Sequence, residues 1–145
     1  MMDLSAHAAV PNPLPDTVHL PRDYFVRRGM VLDCSGPLTI ADTSYWGYGV
    51  KVLTRSHDIK SGGIGAAIPR GVQVDAGAWI CSYSILIGCH IGRGAIVAAG
   101  TVVRCQDVAP DVIVAGNPAR VIARWDGNRW VYLPETETGF VRRLA

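Results

Sequence analysis

"IPRGVQVDAGAWICSYSILIGCHIGRGAIVAAGTVV", residues 68–103, carries an unusual rhythm. Aliphatic residues return at Ile68, Val74, Ile80, Leu86, Ile91, Val97 and Val103, at steps of six, six, six, five, six and six. An amphipathic helix repeats apolar residues at three and four, and a half-buried strand alternates by two, so neither explains a step of six. Small residues hold the fourth place after several of these positions, at Ala78, Ser84, Ala95 and Thr101. Upstream, Ile40, Trp46 and Val52 keep the same step, with Ser44, Val50 and Ser56 in the fourth place.

A short strand plus a turn, repeated, accounts for the spacing. Three such units close one coil of a prism, and stacked coils build a continuous core that no single coil can bury alone. Gly77, Gly88, Gly92, Gly94 and Gly100 lie between the inward residues, where turns need φ values that side chains resist. The five-residue step from Leu86 to Ile91 predicts one shortened corner. The residues alone thus predict an all-β solenoid of stacked coils.

The gross composition excludes several classes. A chain of 145 residues has the length of a single domain, and 49% hydrophobic with 18% charged residues is too apolar for a disordered segment. No apolar run approaches the roughly 20 residues that span a bilayer. "MMDLSAHAAVPNPLP" has neither a basic start nor a continuous apolar centre, so no signal peptide is expected and the cytosol is the expected compartment. A net charge of +2 with scattered Lys and Arg argues against a nucleic-acid surface. Cys34, Cys81, Cys89 and Cys105 form no CxxC pair and read as buried, reduced thiols without assigned chemistry.

The rhythm breaks in "VLTRSHDIKSGGIGAAIPRG", residues 52–71, where Val52 and Ile68 stand sixteen apart. An excursion from the prism is expected there, with residues 58–67 as a projecting loop and His57 at its edge. On the residues alone His57 reads as a solvated loop histidine, since Asp58 and Lys60 follow it. "SGGIGAA" lacks both GxGxxG and GxxxxGK, and no amphipathic helix follows, so it reads as an exposed arm and not a phosphate loop. His90 sits in the turn of the short hexad, and His7 and His19 lie in the irregular segment 1–30. A zinc site of three histidines has no third ligand beside His57 and His90, so no metal is expected. No GxSxG elbow is present. In "VIARWDGNRWVYL", two strand-like runs flank Asp126, Gly127 and Asn128, which predicts a hairpin within 121–145 covering the open end of the solenoid. "PETETGFVRRLA" is either a short helix or a tail.

Residues 74–122, with "AWI", "AAGTVV" and "AGNPARVI" in order, resemble the hexapeptide-repeat acyltransferases, the group containing galactoside, maltose, polysaccharide and xenobiotic O-acetyltransferases. "SHD" before the excursion resembles the segment carrying that family's catalytic histidine, and the likeness covers residues 31–124. Two departures are the five-residue hexad after "AWI" and "RCQDV", one residue longer than the usual exit from the final coil. Segment 1–30 also lacks the helical cap domain that many sugar acetyltransferases carry. The resemblance implies a left-handed parallel β-helix over 31–120, against the usual right-handed crossover preference. It also implies a homotrimer with acetyl-CoA in a cleft between subunits.

The resemblance assigns roles residue by residue. His57 becomes the general base, a task for which imidazole is suited near neutral pH. Trp79 and Ser82 fall beside the thioester, Ala99 and Gly100 along the pantetheine arm, and Arg104 and Arg120 nearer the nucleotide phosphates. The loop 58–67 becomes one wall of the cleft. The implied activity is acetyl-CoA-dependent O-acetylation of a sugar, a polysaccharide precursor or another small polyol, with no metal. N-acylation of an amino sugar or small amine, and a non-catalytic trimeric scaffold, are the alternatives.

Overall fold

A computed structural model describes residues 18–19, 29–60 and 62–139; most of segment 1–30 and the end of the tail lie outside the described residues. The described chain is nearly all strand with one short helix. Its strands form three parallel ladders, the faces of a prism. Face one holds Val18–His19, Leu38–Ile40, Val72–Val74 and His90–Ile91. Face two holds Tyr45–Trp46, Trp79–Ile80, Ile96–Val97 and Val112–Ala115. Face three holds Val31–Leu32, Lys51–Leu53, Ile85–Ile87 and Val102–Arg104. The chain visits faces one, two and three in that order, and the same-face strands of successive coils pair in parallel.

The register follows the hexads. Val74 pairs with Ile91, Ile80 with Val97 and Leu86 with Val103, each 17 positions apart. The deficit from three full hexads is the five-residue step, closed at a corner where Gly88 has φ +52°. Val52 pairs with Leu86 at 34 positions, twice the ordinary step. The excursion therefore absorbs a coil's worth of residues without shifting the ladder.

Every predicted inward residue from Val74 to Val103 is buried, as are Ile40, Trp46 and Val52. The fourth-place residues Ala78, Ser84, Ala95 and Thr101 are fully buried too. They close turns in which the N–H of Ala95 reaches the Gly92 carbonyl at 3.1 Å and that of Thr101 reaches Ala98 at 3.2 Å. Such turns put their third residue at positive φ, +65° at Gly94 and +69° at Gly100. Small side chains fit because the corner turns back into the core.

Three expectations are corrected. Ile68 is not an inward residue; it lies half-buried in Ala67–Pro69, which pairs antiparallel with Arg55–His57, so the excursion is a two-stranded hairpin and not a free loop over 58–67. Ser56, taken as a fourth-place residue, faces Ile68 in that hairpin. Gly92 is not among the positive-φ residues; it is needed because a Cβ there would stand 2.6 Å from the Pro110 nitrogen and 2.8 Å from the Val108 carbonyl.

At the far end, Val112–Ala115 pairs antiparallel with Arg120–Trp125, which pairs antiparallel with Trp130–Tyr132, so the hairpin extends face two past the last coil. Arg120, the last residue of the solenoid span that the resemblance implies, begins this antiparallel part. The Asp126 carboxylate accepts the N–H groups of Asn128 and Arg129, each at 2.8 Å, and the rings of Trp125 and Trp130 meet edge to face at 5.4 Å. Glu135–Thr138 is a short helix.

Among the described residues one buried side-chain polar atom is unpaired. Ser84 Oγ donates at the equivalent corner, with the Cys81 and Ala98 carbonyls at 2.8 and 3.0 Å, whereas Thr101 Oγ1 is buried with no hydrogen-bond partner. Thr101→Val keeps the shape and removes the orphan hydroxyl. It is expected to stabilise the chain by about 1 kcal/mol, a rise of roughly 3 °C in a thermal melt.

Candidate active site

His57 ends the first hairpin strand, which leaves face three just after Lys51–Leu53. Arg55 ties the base of the hairpin to the prism, its Nη2 donating to the Ser35 carbonyl at 2.9 Å. At the other end the turn is closed by the Gly65 N–H donating to the Asp58 carbonyl at 2.8 Å and the Asp58 N–H donating to Ala66 at 3.0 Å. This brings the Gly65 carbonyl to 3.1 Å from His57 Nδ1. A carbonyl only accepts, so Nδ1 carries the proton and Nε2 of the neutral ring keeps its lone pair. The imidazole is exposed, with its basic nitrogen free of that contact. Gly65 is required by close approach, since a Cβ there would stand 2.6 Å from the Asp58 carbonyl.

Ser82 lies in the turn between faces two and three, and Ala99 and Gly100 lie in the same turn one coil later. The Gly100 N–H donates to the Ser82 carbonyl at 3.0 Å, and Ser82 Oγ accepts the Tyr48 N–H at 3.1 Å. The Tyr83 N–H donates to the Tyr48 carbonyl at 2.7 Å. The N–H groups of Ser82 and Ala99 have no backbone acceptor among the described residues. This corner thus offers two stacked donors about 5 Å apart, the spacing between neighbouring strands. Gly47 packs so tightly on it that a Cβ would stand 2.4 Å from the Ser82 nitrogen.

Trp79 begins its face-two strand, half exposed, beside Tyr45 in register. Arg104 ends the last face-three strand, and Arg120 follows Ala119, whose N–H donates to the Val102 carbonyl at 3.0 Å. Gln106 Nε2 also donates to the Ala119 carbonyl at 3.1 Å, so the segment before Arg120 lies across the end of face three. Both arginines are exposed, and the ion pairs among the described residues, His90 with Asp75 and Arg129 with Asp126, involve neither.

The structure brings Ser82, Ala99 and Gly100 together, with Arg104 and Arg120 at the end of the adjoining face. His57 is not brought to them. It leaves the opposite edge of face three, so one chain presents the imidazole and the paired donors on two different edges.

Sequence reading missed the Gly65 carbonyl, because a backbone acceptor leaves no mark in side-chain spacing. It also missed the polar row on face one. There His90 Nε2 lies 2.8 Å from Asp75 Oδ2, and Gln73 Nε2 donates to Asp75 Oδ1 at 2.8 Å. The Gln73 bond, followed by that from His90, holds the Asp75 carboxyl below the usual carboxylate range. Of the four thiols expected to be buried, Cys34 and Cys89 are, whereas Cys81 is half-buried and Cys105 exposed; burial pushes the Cys89 thiol up to about 12, which leaves it unreactive. Among the described residues no three His, Cys, Asp or Glu side chains stand together as metal ligands, and no helix is long and apolar enough to cross a membrane.

Comparison with known proteins agrees with this architecture. No protein-family profile matches the chain. Serine acetyltransferase 2 of Arabidopsis thaliana is 35% identical over 99 residues, 67% of this chain and 29% of that protein. The serine acetyltransferase of Escherichia coli K12 is 32% identical over 111 residues, 72% of this chain and 37% of that protein. The chain therefore spans about a third of the length of these two relatives. Among solved structures, a maltose O-acetyltransferase from Clostridium difficile 630 superposes with a TM-score of 0.69 at 25% identity, covering 75% of this chain and 59% of that one. A hexapeptide-repeat acetyltransferase from Vibrio cholerae O1 biovar eltor, complexed with acetyl coenzyme A, gives 0.63 at 26% identity, covering 75% and 61%. Stacked six-residue units, together with these likenesses to acetyltransferases in sequence and fold, place the chain in the hexapeptide-repeat acyltransferase family.

Proposed function

We propose that the protein is an acetyl-CoA-dependent O-acetyltransferase acting on a hydroxyl of a sugar or another small polyol, with His57 as the general base. The observation that carries this reading is the 3.1 Å contact between His57 Nδ1 and the Gly65 carbonyl, which leaves Nε2 as a proton acceptor on a projecting hairpin. Bound acetyl-CoA would supply an activated acyl group, so no nucleophilic side chain is needed. His57 Nε2 takes the proton of the acceptor hydroxyl as its oxygen attacks the thioester carbonyl, and gives that proton to the sulfur as the C–S bond breaks and CoA leaves as the free thiol. Backbone N–H groups near Ser82 hold the negative charge that develops on the acyl oxygen. Each of these groups supplies roughly two to three orders of magnitude in rate.

Residues present on this chain suit the donor. The Ala99 N–H group can take a carbonyl of a pantetheine arm, with Trp79 and Ser82 near the thioester and Gly100 leaving open space beside the path, no atom standing within 4 Å of a Cβ placed there. Arg104 and Arg120 suit the nucleotide phosphates, which guanidinium groups contact in bidentate fashion. Arg120→Ala is expected to raise the KM for acetyl-CoA about tenfold, the size of one charge-assisted contact, and to leave that for acetyl-pantetheine unchanged. Steady-state kinetics with both donors decide it; equal losses would make Arg120 structural.

The two edges of face three meet in a homotrimer, where the hairpin of one subunit reaches the Ser82 corner of the next. Outward residues support this. Face one presents Thr39, Gln73 and His90, a polar row, whereas face two presents Tyr45, Trp79 and Ile96. The coils are taken to wind left-handed, as the family's do. A panel of sugars and amines read by free-thiol release tests the transfer and separates O- from N-acylation. No CoA binding at millimolar concentration would leave only the scaffold reading.

A further inference from the structure

Tyr83 occupies the third place of the Cys81–Ser84 turn with φ 62°. Glycine fills that place in the turns at Gly49, Gly77, Gly94 and Gly100, at φ values from +65° to +71°. An L side chain there is strained, and held strain of this kind marks positions kept for function. Burial recovers little, because Tyr83 is 70% exposed. Its ring lies over Gly49, where a Cβ would stand 2.6 Å from Tyr83 Cδ1. Two corner positions are thus shaped around one exposed ring, beside the Ser82 N–H and next to Tyr48, itself 50% exposed.

We propose that Tyr83 is the platform on which the acceptor ring is seated, and that the acceptor is a cyclic sugar. This rests on reading the Ser82 corner as the acyl end of the site. A phenol ring offers a flat, electron-rich face that attracts the polarised C–H bonds on one side of a pyranose, and its hydroxyl can meet the sugar's hydroxyls. An open-chain polyol or a serine-sized acceptor has no such face. The nucleotide is seated elsewhere, since Arg104 and Arg120 lie at the end of the last coil. His57 of the neighbouring subunit then meets a hydroxyl of the seated ring.

Tyr83→Gly in the full chain separates the ring from the fold. Expected are a KM about tenfold higher for a pyranose acceptor, the scale of one lost aromatic contact, and an acetyl-CoA KM unchanged within twofold. The melting temperature should not fall, because glycine relieves the strain. Tyr83→Phe, which keeps the ring face, should bring the pyranose KM back to within about threefold of wild type. An unchanged pyranose KM, an equal rise for an open-chain polyol, or an equal loss in donor KM overturns the inference while the transferase reading stands. A wild-type chain that acetylates no hydroxyl acceptor overturns both.

Discussion

Turnover should fall by about a hundredfold or more in His57→Ala, with acetyl-CoA affinity and thermal stability nearly unchanged, because a general base acts on the transition state and not on donor binding. The stability half follows from position. His57 is exposed on the hairpin, outside the buried hexad core, so its removal opens no cavity. What is lost inside the chain is one exposed hydrogen bond to the Gly65 carbonyl, worth about 1 kcal/mol at most. Parallel measurements of kcat, acetyl-CoA dissociation and melting temperature check this. Near wild-type kcat would require another base, and a comparable loss of donor affinity would mean that the ring contacts the donor.

The stacked coils were legible because a hexad encodes a strand and a corner together. Burial of Val74, Ile80, Leu86, Ile91, Val97 and Val103 follows directly from their spacing. Ile68 satisfied the same spacing by coincidence. Nothing in a side-chain pattern says that Arg55–His57 and Ala67–Pro69 pair with each other and leave the prism. The positive φ at Tyr83 was hidden for a related reason: the corner demands a left-handed residue, glycine is its usual signature, and a tyrosine masks the demand. His57 could be singled out from "SHD", whereas its tautomer depends on a carbonyl eight residues away. The separation of His57 from Ser82 across face three needed the topology itself, since both lie within 25 positions of each other along the chain.

That separation makes assembly the second large test. The hairpin carries Ile59 and Ile64, 76% and 85% exposed, on either side of a tip with Gly62 and Gly63 at positive φ. Two isoleucines held out in water gain roughly 1.5 to 3 kcal/mol each when a neighbouring subunit covers them, and an aspartate in the same place loses that gain and adds a desolvation cost. Ile59→Asp with Ile64→Asp is therefore expected to convert the proposed homotrimer to monomers in light scattering and to bring transfer down to background. The hexad core should survive, because neither isoleucine belongs to it, and the circular dichroism and melting of the dissociated chain report that directly. Loss of trimer and activity together, with the core intact, is the outcome expected of an active site divided between the hairpin edge of one subunit and the Ser82 edge of the next. A chain that is monomeric and active, wild-type or doubly substituted, would require His57 and its acceptor to meet within one chain, which the opposite edges of face three oppose, whereas a doubly substituted trimer with full activity would mean that the two isoleucines do not hold the interface.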